Sequence, residues 1–234
     1  MPEKETLFLT LEQALEAVRA DFHQYDPQIM LLCQTLRLIS DGRIATKREP
    51  GKNGAWIGEA GRQNMHWLDG PELVRYVCET LDMVALEREL MASVCARVFH
   101  TRSYADREAE TGRTGIRVET GMEDYVCSRC GQCCRTLDYH QELTSTDVAR
   151  WRETGRDDIL AWVRIIEREG REPAYRIWAY PETNRVAEIC PFLKREAGEN
   201  KWGCSIHDAR PGICRQYPLS RKHAFMTGCI GFSK

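Results

Sequence analysis

The sequence predicts an α+β fold in two parts: a helical region over residues 1–120, then a small, irregular, cysteine-rich α+β metal-binding domain over residues 121–234. Three observations carry this. In the first part apolar residues recur at three- and four-residue spacing, the signature of helices with one buried face. In the second part the periodic runs are short and change between helical and strand character. The cysteines divide in the same way: Cys33, Cys78 and Cys95 are scattered over the first 120 residues, while the other eight of the 11 lie between Cys127 and Cys229.

The first helix is expected where Thr10 and Gln13 form a capping box ahead of Leu11, Leu15 and Val18. Asp26-Pro27 then provides a cap and first residue for a second helix over Ile29–Ile39, with Asp41-Gly42 as its stop. Residues 43–70 are polar and ambiguous, with Trp56-Ile57 and residues 65–68 as short strands or buried turns. Asp69-Gly70-Pro71 opens a further helical region striped by Leu73, Val77, Leu81 and Val84, and later by Leu86, Leu90 and Val94. In these surroundings Cys33, Cys78 and Cys95 read as core thiols. Residues 101–121 hold Asp106, Glu108, Glu110, Gly112, Arg113 and Gly115 and lack a sustained apolar period, so the boundary between the parts is expected there.

Beyond it, Thr144 and Asp147 read as the cap of a short helix ending near Gly155. Asp157-Asp158 starts another through Ile159, Trp162, Val163 and Ile166 that Gly170 stops. Residues 175–180 and 185–189 flank a turn and are expected to pair as a hairpin. Residues 202–206 read as a strand, and 208–216, with Pro211 early, as a short helix.

Composition narrows the function. The chain has 234 residues, 33 Lys plus Arg against 35 Asp plus Glu, and 42% apolar residues, enough for one fair-sized domain or two small ones. Net charge is −2 overall, −4 over residues 1–120 and +2 over 121–234. No global basic field exists to hold nucleic acid through its phosphates. Apolar stretches fall far short of a membrane span, and residues 1–10 contain no charged segment leading into an apolar one. The expected compartment is the cytoplasm, where clustered cysteines read as metal ligands more readily than as disulfides. Neither a nucleic acid nor a membrane is expected as partner, which leaves a protein or a small molecule. No GxxxxGK[ST], strand-anchored GxGxxG, HExxH or GxSxG occurs, so the chemistries that these motifs serve lack their local signs.

The strongest signal is Cys127-Ser-Arg-Cys130-Gly-Gln-Cys133-Cys134. Two intervening residues let the backbone curl so that three thiolates turn toward one centre. Cys134 points away from its neighbour, so it is expected to meet another ligand set or to pack as a small buried thiol. Cys190, Cys204, Cys214 and Cys229 complete the eight candidate ligands. His207, three residues after Cys204, reads as a surface or capping residue before it reads as a ligand, and Arg210 and Arg215 either bond carbonyls and offset thiolate charge or pack against Tyr217. Asp147 reads as a cap partner rather than a catalytic acid.

Residues 125–231 resemble the CxxCxxCC or YkgJ-type cysteine-cluster proteins, described as zinc- or iron-chelating domains. The resemblance rests on Cys127-x-x-Cys130-Gly-x-Cys133-Cys134, Leu143-Thr144-x-x-Asp147, Cys190-Pro-Phe-Leu193, the block from Cys204 through Arg210-Pro211, Cys214 and Tyr217-Pro218, and Cys229-x-Gly231. It implies a metal or iron–sulfur centre held by these cysteines. Flagellin lysine methylases share a similar cluster, but this chain is short for that comparison and has no glycine-rich turn suited to a methyl-donor nucleotide. The CxxCxxC spacing resembles the bacterial ferredoxin loop, and Cys190-Pro191 the remote cysteine-proline that completes it, which favours an iron–sulfur cluster of the 4Fe-4S type over zinc. Electron transfer or redox sensing is the leading use. The alternatives are a metal-dependent group-transfer enzyme whose specificity comes from residues 1–120, and a zinc-stapled interaction module.

Overall fold

In the computed structural model, which describes residues 4–136, 143–170, 172–197 and 201–232, Thr10 opens the first helix through its own side chain. Its Oγ1 accepts the Gln13 N–H at 3.2 Å, and the Gln13 side chain accepts the Thr10 N–H at 2.9 Å. This reciprocal box follows β1 (Thr6–Leu9) and heads α1 (Leu11–Gln24). The second helix, α2 (Ile29–Ile39), starts later than Asp26-Pro27 predicts. The Ile29 N–H turns back to the Pro27 carbonyl at 3.1 Å, which leaves Gln28 as an N-cap without a side-chain bond. Its end is where Asp41-Gly42 predicts it, with the Gly42 N–H returning to the Arg37 carbonyl at 2.8 Å.

The ambiguous stretch is a three-stranded antiparallel meander of β2 (Ile44–Arg48), β3 (Gly54–Glu59) and β4 (Met65–Asp69). Trp56 and Trp67 stand opposite each other across it, their ring centroids 5.6 Å apart. Asp69 and Glu72 cap α3 (Gly70–Met83) with a second reciprocal box, and α4 (Arg88–Val98) follows. Residues 101–121 are not a linker. They form β5 (Ser103–Arg107) and β6 (Thr114–Glu119), with β6 central in the sheet β1-β6-β5. Polar residues mask a period of two in β6: Ile116 and Val118 enter the core, while Arg117 pairs with Asp106 at 2.6 Å and Glu119 with Lys4 at 2.7 Å. The region expected to be helical is therefore mixed, with four helices and two sheets around one core. That core is centred on Leu32, Leu36, Leu73, Val77, Leu81 and Met91, with Ile57 and Ile116 added from the sheets. Cys33 and Cys95 lie in it and Cys78 packs against it. Burial pushes the Cys95 thiol up to about 12.

The chain divides into two units, Met1–Glu123 and Asp124–Lys234. The second is built from short pieces: α5 (Cys133–Thr136), α6 (Ser145–Glu153), α7 (Asp157–Leu160), β7 (Arg164–Ile166), β8 (Ala174–Arg176), β9 (Leu193–Arg195), β10 (Trp202–Cys204), a 3-10 turn at His207–Ala209, α8 (Gly212–Gln216) and α9 (Arg221–Met226). Thr144 caps α6, and its Oγ1 accepts the Asp147 N–H at 3.1 Å. The helix expected through Ile166 stops at Leu160. Val163, Ile165 and Ile166 are β-branched, and residues 164–166 pair with β8 instead. Because Tyr175 belongs to β8, the expected hairpin survives only as the bridge Ala179↔Val186. Pro211 divides the predicted 208–216 helix: Arg210 before it is extended, at φ −51° and ψ 145°, and separates the 3-10 turn from α8. Among the described residues no helix is long and apolar enough to cross a membrane.

Candidate metal centre

The CxxCxxC loop curls because left-handed residues stand between its cysteines. Arg129 has φ +56° and Gly131 φ +69°. Gly131 is needed twice over, since a Cβ there would also lie 3.0 Å from the Trp202 side chain. The loop is tied to β10 by the Trp202 N–H, which donates to the Arg129 carbonyl at 2.8 Å, and Arg129 also pairs with Glu196. Its start is tied to the distant residues 231–232. Tyr125 bridges to Phe232, and the Val126 N–H donates to the Gly231 carbonyl at 2.8 Å. This brings Cys229 to the loop, with its Sγ 3.7 Å from the Tyr125 hydroxyl. Cys127, Cys130, Cys133 and Cys229 line one small cavity together with Tyr125 and Tyr217.

Cys134 turns elsewhere. The Cys190 N–H donates to the Cys134 carbonyl at 3.0 Å. The remote cysteine that shares the small cavity with the CxxCxxC loop is therefore Cys229, where the sequence leads one to expect Cys190. Cys229 reaches that loop, and Cys190 joins Cys134. Cys204 comes from the end of β10, where it pairs with Leu193, and Cys214 from α8. Both lie close enough to Cys134 and Cys190 for their charges to interact.

A cavity of about 660 Å³ is lined by Cys127, Cys133, Cys134, Cys204 and Cys214, with His207, Arg210 and Arg215 also on its wall. The thiols crowd one another electrostatically. A bond from Cys133 pulls the Cys134 thiol down, but its bond with Cys190, its burial and the charges of Cys190 and Cys204 carry it up to about 12. Burial, then the charges of Cys134, Cys204 and Cys133, push Cys214 upward, and burial raises Cys204. Cys190 is lowered, first by its bond from Cys134. Burial raises the Tyr125 hydroxyl and takes that of Tyr217 to about 12, and the neighbouring cysteines add to both shifts.

Asp147 has a structural part that its sequence context hides. It is 3% exposed, and its carboxylate accepts the Gly212 N–H at 3.0 and 3.1 Å and Arg150 at 3.2 Å, with Arg215 at 3.6 Å. Arg150 donates to the Arg210 carbonyl at 2.7 Å, and Trp151 Nε1 to the Ala209 carbonyl at 2.7 Å. These bonds fasten α6 to the segment that carries Cys214. His207 lines the larger cavity, and its carbonyl accepts Arg210 Nε at 3.0 Å. Tyr125 and Tyr217 beside the thiols were not singled out as site residues; the available signs were their nearness to Cys127 and Cys214 in the chain and the place of Tyr217 in the motif block that carries the resemblance.

Among the described residues no three His, Cys, Asp or Glu side chains stand together as a ready ligand set. The donor chemistry nevertheless fits a thiophilic centre, because the thiols gather soft sulfur around shared space and a cation there relieves their mutual repulsion. Residues 126–229 match the CxxCxxCC family model, whose description reads "Putative zinc- or iron-chelating domain". That stretch is less than half of the chain, and it is the segment in which the sequence resemblance lies. No curated protein and no solved structure matches the chain.

Proposed function

We propose that residues 124–234 bind an iron–sulfur centre through thiolates of the eight cysteines from Cys127 to Cys229 and use it for electron transfer or redox sensing. The supporting observation is the curled CxxCxxC loop that receives Cys229 from a remote segment, because three closely spaced thiols and a distant fourth make the donor set of a cubic cluster. Such a group, when bound, supplies reversible one-electron chemistry. The residues around it tune that chemistry. The Tyr125 hydroxyl lies within reach of the Cys229 sulfur, and Arg210 offsets thiolate charge at Cys204 and Cys214. Protein prepared without oxygen should be brown and contain iron with acid-labile sulfide. Colourless protein with stoichiometric zinc and no sulfide would overturn the iron–sulfur assignment.

One observation favours a second reading, a zinc-stapled interaction module. Val126 in the cysteine loop and Ile230 beside Cys229 are 72% and 66% exposed, on the two segments that the Val126–Gly231 hydrogen bond joins. Zinc without sulfide would move this reading ahead.

A further inference from the structure

The eight cysteines are not one ligand set. We infer that they form two four-thiolate sites, an outer one of Cys127, Cys130, Cys133 and Cys229 and an inner one of Cys134, Cys190, Cys204 and Cys214, so that the chain binds two metal centres side by side. This deepens the proposed function and rests on its premise that these cysteines are metal ligands.

The division begins at adjacent residues. Cys133 and Cys134 open α5, where successive side chains diverge by about 100° around the helix. Their sulfurs are 4.0 Å apart and both line the larger cavity, yet only Cys133 also reaches the smaller one. Cys133 shares the small cavity with Cys127, Cys130 and Cys229, and neither Cys134 nor any inner cysteine lines it. The Cys134 carbonyl accepts the Cys190 N–H at 3.0 Å. Tyr125 and Tyr217 line both cavities, and the Tyr125 hydroxyl lies 3.7 Å from the Cys229 sulfur. Arg210 acts on Cys204 and Cys214.

Four thiolates per centre is the count that structural zinc and cubic clusters both use, so eight cysteines in two quartets leave none over. The two sites also differ in construction. Three of the outer ligands come from one loop, and Cys127 is exposed. The inner ligands come from four separate segments: α5, the turn after residue 189, β10 and α8. Closing the inner site therefore fixes most of the unit, whereas closing the outer site fixes one loop against residue 229. The larger cavity touches Cys127 and Cys133 as well as Cys134, Cys204 and Cys214. The sites are therefore neighbours, and one merged eight-thiolate centre is the competing arrangement.

The test uses the full-length chain, stripped of metal without oxygen and titrated with Co(II). At each step unprotected thiols are alkylated with iodoacetamide and located by peptide mapping. Two equivalents should bind, and protection should arrive in two groups of four with the memberships given above. Cys134→Ser and Cys229→Ser proteins should each keep one equivalent of the two. Protection of all eight thiols in a single step, or in groups that mix the two sets, overturns the two-site inference and leaves metal binding intact. If no thiol is protected at any loading and the anaerobic protein carries no metal, the proposed function fails with it. The mapping on the unmutated chain decides the question even where a serine variant does not fold.

Discussion

The two units are held together by different physics. Residues 4–123 bury twenty-two apolar side chains in one cluster, whereas the described residues of 124–234 bury nine. The first unit has helices of up to 14 residues closed by capping boxes and two three-stranded sheets. In the second unit no described strand within a sheet is longer than three residues. A small core of this kind rarely supports a fold unaided, and metal–thiolate bonds are the usual supplement. The comparison teaches that cysteine here performs two tasks. Cys33 and Cys95 are small apolar groups in a sufficient core, while the later eight stand where a core is scarce.

The largest effect expected from this contrast is metal removal. Ligation free energy becomes folding free energy, on the order of 10 kcal/mol for a thiolate site. Chelation of the full-length protein should abolish hydrogen-exchange protection over residues 143–226 and leave that of α2, α3 and α4 in place. Loss of both together would break the comparison.

Leu36→Ala sharpens it from the other side. Leu36 is fully buried in the first core, so the change should cost that unit about 2–5 kcal/mol. Metal content, measured by mass spectrometry of the elements, should not move. A smaller effect is expected from Asp147→Ala, which leaves the half-buried Gly212 N–H without its carboxylate and should cost roughly 1–3 kcal/mol. Here metal retention should fall, because Asp147 holds the start of the helix that carries Cys214. Cys134→Ser should lower it further by removing a proposed ligand outright. Thr10→Ala is the smallest: loss of the α1 cap should cost about 1 kcal/mol. It should lower the melting temperature of the first unit and leave metal binding unchanged.

What the sequence determined by itself lies within a few residues along the chain. The box at Thr10–Gln13, the helix start at Asp69-Gly70-Pro71, the Thr144 cap and the CxxCxxCC loop could all be read, because each is a local bond or spacing. Cys190 illustrates where that stops: its proline and spacing pointed to the CxxCxxC set, yet it meets Cys134, and Cys229 arrives from 96 residues beyond Cys133. Residues 101–121 looked like a polar boundary until β1, nearly the whole first unit away in sequence, supplied β6 with a partner. Residues 164–166 became a strand because β8 offered them a ladder. β8 lies close by in the chain, but for Cys190, Cys229 and β6 the deciding partner is remote in sequence. Such a contact is won only after the loop between its ends has been closed, and the side chains at either end carry no local record of it.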